Sequence, residues 1–496
     1  MQDSSTILAA MLSAIRRDLE STLVPDMPTA HARSAAGMMS ELLAYLSIWQ
    51  RDLREHMPQV ATAQQAVINR ATALLQRMGG QLPAMTASET RLLESPGGSA
   101  EYGRLQQELD QTIEALTRMA GDPSARLSSD AIRDVLAQSV DTELDLLDRE
   151  LTLVDEERDY LAPPRSAEDL GVTHDALTDF VRSGFPGDPG ATIKALEPIS
   201  DGAGKDSYLF TLRAATGRCR RLVLRRDPAV AVGDNSVVDE FALLKRLFDL
   251  GFPVAEPVYC ESDPVPLGQP FSLNGYIEGE NGTAAWEEDR EAKYDICFSL
   301  ARILGRLHTL TPHQLNGVIA PTAGSPQDHL RQYIARWHDL WLRRRLHASP
   351  TLTAAFHWLL ENVPHNIDRL ALLHGSVGFD KVLVRGGQIQ GLLEWEFAHL
   401  GDPVEELDHC RQFVEPLVSW TMFLEEYRAA GGGEYSERNA RFHAVWRGVR
   451  NAVCCSVAWE QFLNGDAPAL KMAYQGVPLY HRFVRDTARQ LQKELQ

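Results

Sequence analysis

The chain of 496 residues carries a net charge of −19, with 68 acids against 49 Lys and Arg, and is 44% hydrophobic. That balance belongs to a folded protein of about two to four domains and excludes disorder as the dominant state. The acid excess argues against a nucleic-acid partner, because phosphate contact needs a basic face.

Taken in chain order, the start (MQDSSTILAAMLSAI) puts Asp3 where a signal peptide would carry a base. It reads as a helix capped by Asp3, Ser4 or Ser5. No apolar run reaches the roughly eighteen residues that a membrane span needs. There is no lysine before Lys194 and no cysteine before Cys219, and eight of nine tryptophans follow residue 280. Residues 1–165 hold 25 acids and 15 bases. Apolar residues recur there at helical spacing. One stripe, within 31–55, is Met39, Leu42, Leu43, Leu46 and Trp49; another is Ile132, Leu136, Val140, Leu144, Leu147, Leu151 and Val154. Such stripes need partner helices, so 1–165 is predicted to be a helical bundle. His31 and His56 are isolated and read as ordinary helix residues.

Pro163-Pro164 marks a linker, and a short helix is expected at 173–183. Alternation then predicts a hairpin, 208–212 against 221–225, turning at Thr216-Gly217. A helix over 238–250 and a strand over 271–277 follow. Beyond Asp289 the pattern is helical, interrupted by short strands at 382–384 and 389–393. The expected class is α+β: a small β-rich lobe (166–280), then a mainly helical lobe (281–496). In the latter, Phe442, Val445, Trp446, Val449, Val453, Val457 and Trp459 predict one long helix. The six cysteines lack metal-ligand or CxxC spacing, so reduced thiols in a cytoplasmic protein are expected, Cys454 and Cys455 within a helix core.

Chemistry concentrates in two stretches, LLHGSVGFDKVLV (372–384) and GLLEWEFAHLGDP (391–403). On these residues the chain resembles the aminoglycoside phosphotransferase family, small-molecule kinases with a two-lobed protein-kinase-like fold. The match keeps Trp395-Glu396 and Gly401-Asp402-Pro403 in register. The resemblance implies roles upstream. Gly202 and Gly204 would lie in a nucleotide loop, and Arg225 would replace the phosphate-binding lysine, as in acyl-CoA-dehydrogenase-associated relatives. Glu240 would pair with that cation, and Asn274 to Ile277, including Tyr276, would form the hinge beside an adenine ring. His374, Gly375, Trp395 and Asp402 would shape and pack the loops. ATP or another nucleotide is the implied cofactor. A fainter resemblance, carried by His-Ala-Arg-Ser-Ala-Ala at 31–36, links the bundle to helical domains that accompany bacterial phosphotransferases.

Three positions depart from the family pattern. The catalytic Asp is Ser376, the metal-binding Asn is Lys381 and the second metal-binding Asp is Glu394. A serine hydroxyl has no usable basicity near neutral pH. Lysine has no acceptor for a metal, and its charge about 4 Å from Mg²⁺ would be repelled by roughly 8 kcal/mol at an effective dielectric near 20. Glu394 alone remains compatible with Mg²⁺. The implied protein is a degenerate, pseudokinase-like member that regulates or scaffolds, with Lys381 standing in for the metal at nucleotide phosphates. Two alternatives stay open: an active ATP-dependent kinase with an atypical site, and a structural partner of a metabolic enzyme that binds no nucleotide. Glu405, Glu406 and Asp408 read either as contacts for a cationic substrate or as a solvated helix start. The acceptor and any small-molecule or protein partner are not specified.

Overall fold

The computed structural model describes residue 16 and residues 30–49, 54–79, 100–120, 129–156, 172–185, 187–199, 205–228, 235–283, 291–315, 317–319, 324–464 and 470–496. The predicted N-terminal helix start, the Pro163-Pro164 linker, Gly202 and Gly204 lie outside these residues. The chain forms two compact units. The first joins 1–166 to 331–363 and 444–496; the second joins 167–330 to 364–443.

The first unit is helical. It contains α1 (Ala30–Ile48), α2 (Arg54–Arg77), α3 (Ala100–Ala120) and α4 (Ser129–Glu156). On α4 the predicted stripe from Ile132 to Val154 is buried at every position. On α1 the expected face needs correction. Met39 and Leu46 are 42% and 49% exposed, whereas Met38, Ala44, Tyr45, Ile48 and Trp49 are buried. Apolar residues surround most of this helix, so spacing alone does not select a face; the aromatic pair does. Tyr45 and Trp49, with Ile48, pack on Met57, Val60, Tyr102, Leu146, Leu151 and Val154.

Acids of the bundle meet partners from the two later segments. Arg345 Nη1 donates to Asp110 (2.6 Å), Arg482 Nη2 to Asp155 (2.9 Å) and Arg489 Nη2 to Asp148 (2.6 Å). Glu143 is buried and accepts from Gln106 Nε2 (3.2 Å), Ser349 Oγ (3.1 Å) and the Thr351 amide (2.8 Å). Burial nevertheless pushes its carboxyl from 4.5 up to about 7. In that window the folded state holds the extra proton. The contribution is therefore full below pH 4.5 and falls by about 3 kcal/mol as pH rises through 7. Urea denaturation of Glu143→Gln and the parent should show their stability difference moving by that amount in favour of Gln. A difference independent of pH would refute the assignment.

The second unit begins with α5 (His174–Ser183), capped by the Thr173 hydroxyl. A five-stranded antiparallel sheet follows, built from β1 (Thr192–Pro198), β2 (Asp206–Arg213), β3 (Cys219–Arg226), β4 (Pro257–Glu261) and β5 (Phe271–Gly275) in the order β1-β2-β3-β5-β4. The predicted hairpin is β2 and β3, with Tyr208 opposite Leu224 and Phe210 opposite Leu222. These residues and Leu273 bury one face against Leu177, Phe180 and Val181 of α5. Strand alternation puts Arg225, opposite Ser207 and Ser272, on the other face. There it meets α6 (Val237–Asp249), which opens with a Ser236–Asp239 capping box.

The mainly helical part of this unit packs α7 (Ala292–Leu307) against β7 (Ala371–Leu373), which pairs with β10 (His399–Gly401), and against β9 (Gln388–Leu392), which pairs with β8 (Val382–Arg385); β8 pairs in turn with β6 (Glu280–Asn281). The β8–β9 turn uses Gly386 and Gly387, both at positive φ, as a two-residue hairpin turn requires. Leu300, Leu304, Leu372, Val382, Leu392, Trp395 and Leu407 form its core. Among the described residues, no helix is long and apolar enough to cross a membrane.

Candidate functional site

Two cations and three carboxylates converge where the sheet, α6 and the segment after β9 meet. Arg225 Nη2 lies 3.2 Å from Glu240 and 3.5 Å from Glu396. Burial opposes the Arg225 charge, but Glu240 and Glu396 outweigh it and hold the guanidinium protonated. Glu240 also accepts from the Trp395 amide (3.3 Å), so α6 and the Trp395 segment share one carboxylate.

The second cation is Lys381. It closes a 3₁₀ turn, Phe379–Lys381, and its Nζ donates to the Ser376 carbonyl (2.9 Å). The same ammonium lies 3.8 Å from Glu394 Oε2. Lost hydration first, and the neighbouring Glu396 charge next, raise the Glu394 carboxyl, while Lys381 and Arg225 pull it down. Glu394 adopts a φ of +64°, a left-handed conformation that costs a non-glycine residue about 1–3 kcal/mol. Its backbone is therefore held by its surroundings. The Ser376 hydroxyl is buried and has no hydrogen-bond partner among the described residues.

His374 organises this loop. Its Nε2 donates to the Leu393 carbonyl (2.8 Å), which leaves Nδ1 to accept from the Ser376 amide (3.4 Å). Burial lowers its pKa, so the ring is neutral and packs on Trp395, centroids 4.5 Å apart. Trp395 is fully buried, its Nε1 donating to the Leu392 carbonyl. Gly375 has a φ of +82°, and a Cβ there would lie 2.1 Å from the Phe397 carbonyl oxygen. Asp402 caps α8 (Pro403–Val414) through the Val404 amide and also accepts from Asn439 and His443.

Glu405 and Glu406 are neither solvated nor presented to a substrate, which corrects both expectations. They are 7% and 2% exposed. Glu406 accepts from His308 Nε2 (2.9 Å) and from the amides of Gly375 (2.9 Å) and His374 (3.2 Å). Glu405 faces His399 at 3.4 Å. The first turn of α8 is a buried bracket for the loop, not a surface.

Of the residues expected to form the hinge, Asn274 is buried; its Nδ2 donates to Ser272 Oγ (2.9 Å) and its Oδ1 has no partner among the described residues. The Gly275 and Tyr276 amides donate to the Glu256 and Arg221 carbonyls, and Arg221 stacks on the Tyr276 ring. Neither amide is therefore free for an adenine ring.

Sequence reasoning passed over Asn235, Lys205 and Asp227. Asn235 Nδ2 donates to the carbonyls of Ala398 (2.8 Å), Trp395 (3.2 Å) and Glu396 (3.3 Å). Its own carbonyl accepts from Lys205 Nζ, which also pairs with Asp227. Asp227 in turn accepts from the Val237 amide at the start of α6. Only their long-range partners reveal this role: nothing in the local pattern around Lys205, Asp227 or Asn235 points to it. Replacing Asn235 by alanine should cost about 1–3 kcal/mol by leaving the Ala398 carbonyl without its donor. A denaturation midpoint equal to that of the parent would contradict it.

Among the described residues, no group of three or more His, Cys, Asp or Glu is arranged to hold a metal ion. Of the two residues expected at metal positions, Lys381 cannot be a ligand and lies 3.8 Å from Glu394.

Sequence comparison matches the Phosphotransferase enzyme family over residues 195–446. Acyl-CoA dehydrogenase family member 11 of Pongo abelii is 24% identical over 260 residues, covering 49% of this chain and 32% of the relative. The Gallus gallus protein of that name is 25% identical over 235 residues, covering 46% and 29%. The chain thus spans about a third of the length of these relatives. Among solved structures, macrolide 2′-phosphotransferase MphH from Brachybacterium faecium has 19% identity and a TM-score of 0.40, covering 62% of this chain and 97% of that one.

Proposed function

Because this chain belongs to the phosphotransferase enzyme family, we propose that its kinase-like unit binds ATP or another nucleotide without transferring phosphate and serves a regulatory or scaffold role. The observation that carries this reading is the Lys381–Glu394 pair at 3.8 Å. An internal ion pair stands where the family pattern has two metal ligands, and the neighbouring base position holds a serine hydroxyl. Phosphoryl transfer depends on charge neutralisation and positioning; this arrangement supplies neither a metal site nor a carboxylate base. Mg²⁺ does not fit these residues. Arg225 and Lys381 are the groups that would meet nucleotide phosphates, with Asn274 and Tyr276 at the hinge side.

One observation favours the nucleotide-free alternative, a scaffold for a metabolic enzyme. Arg225 and Lys381 are outnumbered by Glu240, Glu394 and Glu396, all within the same cluster. Polyphosphate entering it would meet more negative than positive charge.

A thermal-shift titration with ATP separates the two. Binding stabilises by about 2.7 kcal/mol when ligand exceeds Kd a hundredfold. The expected result is a shift that does not need Mg²⁺ and disappears in Lys381→Asn. No shift with or without Mg²⁺ supports the scaffold. Phosphate transfer at ordinary kinase rates, lost in Glu394→Ala, would overturn both in favour of the enzyme.

A further inference from the structure

The helical unit contains a small polar cavity, separate from the cluster around Arg225. Its volume is about 40 Å³, room for a water-sized or ammonium-sized group, since roughly 10–15 Å³ suffices for one. Glu143 and Glu150, two turns apart on α4, both line it, with Trp49, Tyr102, Tyr480 and His481. No lysine or arginine does.

Glu150 is fully buried. Its Oε1 pairs with His481 Nδ1, but its Oε2 has no hydrogen-bond partner among the described residues. A buried carboxylate oxygen left unpaired is costly, and the cost is removed by a donor that enters the cavity. Trp49, Tyr102 and Tyr480 also line the cavity, and the Trp49 Nε1 donor has no hydrogen-bond partner among the described residues; aromatic rings beside a carboxylate suit a small cation. Burial opposes the His481 charge but Glu150 raises its pKa, so His481 meets Oε1 and the unmet group is Oε2, which an N–H donor entering the cavity would satisfy. A bare metal ion is a poorer match, because no metal-holding group of His, Cys, Asp or Glu exists among the described residues.

We propose that this cavity is a binding site for an ammonium group, either the free ion or the head of a small primary amine, held by Glu150 Oε2 with Glu143 as the second acceptor. The experiment is set at pH 8, above the value of about 7 to which burial pushes the Glu143 carboxyl. The site is independent of anything bound at Arg225, so its test does not depend on the nucleotide reading.

The experiment uses the full chain at pH 8 with ¹⁵N-labelled ammonium chloride, methylammonium, sodium and tetramethylammonium chlorides at equal ionic strength. A slowly exchanging bound ammonium signal is expected, with a thermal shift for ammonium and methylammonium above that of sodium. Tetramethylammonium, which donates no hydrogen bond and exceeds the cavity, should act as sodium does. Glu150→Gln should abolish the signal and the extra shift, and the exposed Asp130→Asn on the same helix should keep both. Should Glu150→Gln fail to fold, Glu143→Gln serves, with binding expected to weaken at least tenfold. Equal shifts from all four salts with no bound ammonium signal would mean that the cavity holds only water, and the proposal fails. It fails equally if both glutamine variants bind ammonium as the parent does.

Discussion

Glu406→Ala is expected to destabilise the kinase-like unit by about 3–5 kcal/mol, because three buried donors lose their common acceptor at roughly 1–3 kcal/mol each. The carboxylate is the common acceptor of His308, the His374 amide and the Gly375 amide. His308 and His374 are 1% and 0% exposed, so no water replaces it at once. Gly375 cannot compensate by moving, because its left-handed φ is already set by the approach of Phe397. Burial alone would raise the Glu406 carboxyl, but the hydrogen bonds from His308 and the Gly375 amide outweigh it and hold it below the usual range. Its contribution is thus present above the ordinary glutamate pKa and is lost as pH falls. Urea denaturation at neutral pH should show the full loss, and the gap between variant and parent should narrow in acid. A loss below about 1 kcal/mol at neutral pH would mean that the bracket is not needed.

The second large effect concerns chemistry. The triple change Ser376→Asp, Lys381→Asn and Glu394→Asp is expected to create Mg²⁺-dependent ATP turnover at least about 10²-fold above the parent, the low end of what a positioned base contributes. Lys381→Asn removes the ammonium that occupies Glu394, and Glu394→Asp shortens the arm that reaches it. Ser376→Asp supplies a carboxylate where a buried hydroxyl now lacks a partner. Arg225, Glu240, His374 and Trp395 are untouched, so the frame is unchanged. The measurement is ADP release with and without Mg²⁺. Turnover indistinguishable from the parent would show that the frame itself, and not three side chains, has lost the capacity for transfer.

Local pattern made much of the kinase-like unit legible. The alternation in β2 and β3 and the Gly386-Gly387 turn each map onto an observed element, because neighbouring residues determine them. The stripe on α4 was equally readable, since one face is apolar and the other is charged. On α1 it was not: Met39 and Leu46 share a helical stripe but face water, because the choice of face is made by Tyr45 and Trp49 finding partners on other helices. The same limit applies at the site. Arg225 and Glu240 could be paired in advance through a family resemblance, whereas the Lys381–Glu394 contact joins two departures from that pattern. Glu406 was misread because an acid in a first helical turn normally faces solvent. What buries it is His308, 98 residues earlier.

The helical unit has a consequence for biosynthesis. Its buried carboxylates are made long before their partners: Asp110 precedes Arg345 by 235 residues, and Glu150 precedes His481 by 331. At about 5–20 residues per second on a ribosome, Glu150 waits roughly 15–60 s for its histidine. A nascent chain ending near residue 166 therefore presents desolvation-prone acids with nothing to neutralise them. The kinase-like unit, interrupted once, has all its segments once residue 443 has emerged. The helical unit thus starts before the kinase-like unit and is completed after it, and a fragment cut at the expected Pro163-Pro164 linker is a candidate for chaperone capture rather than a domain.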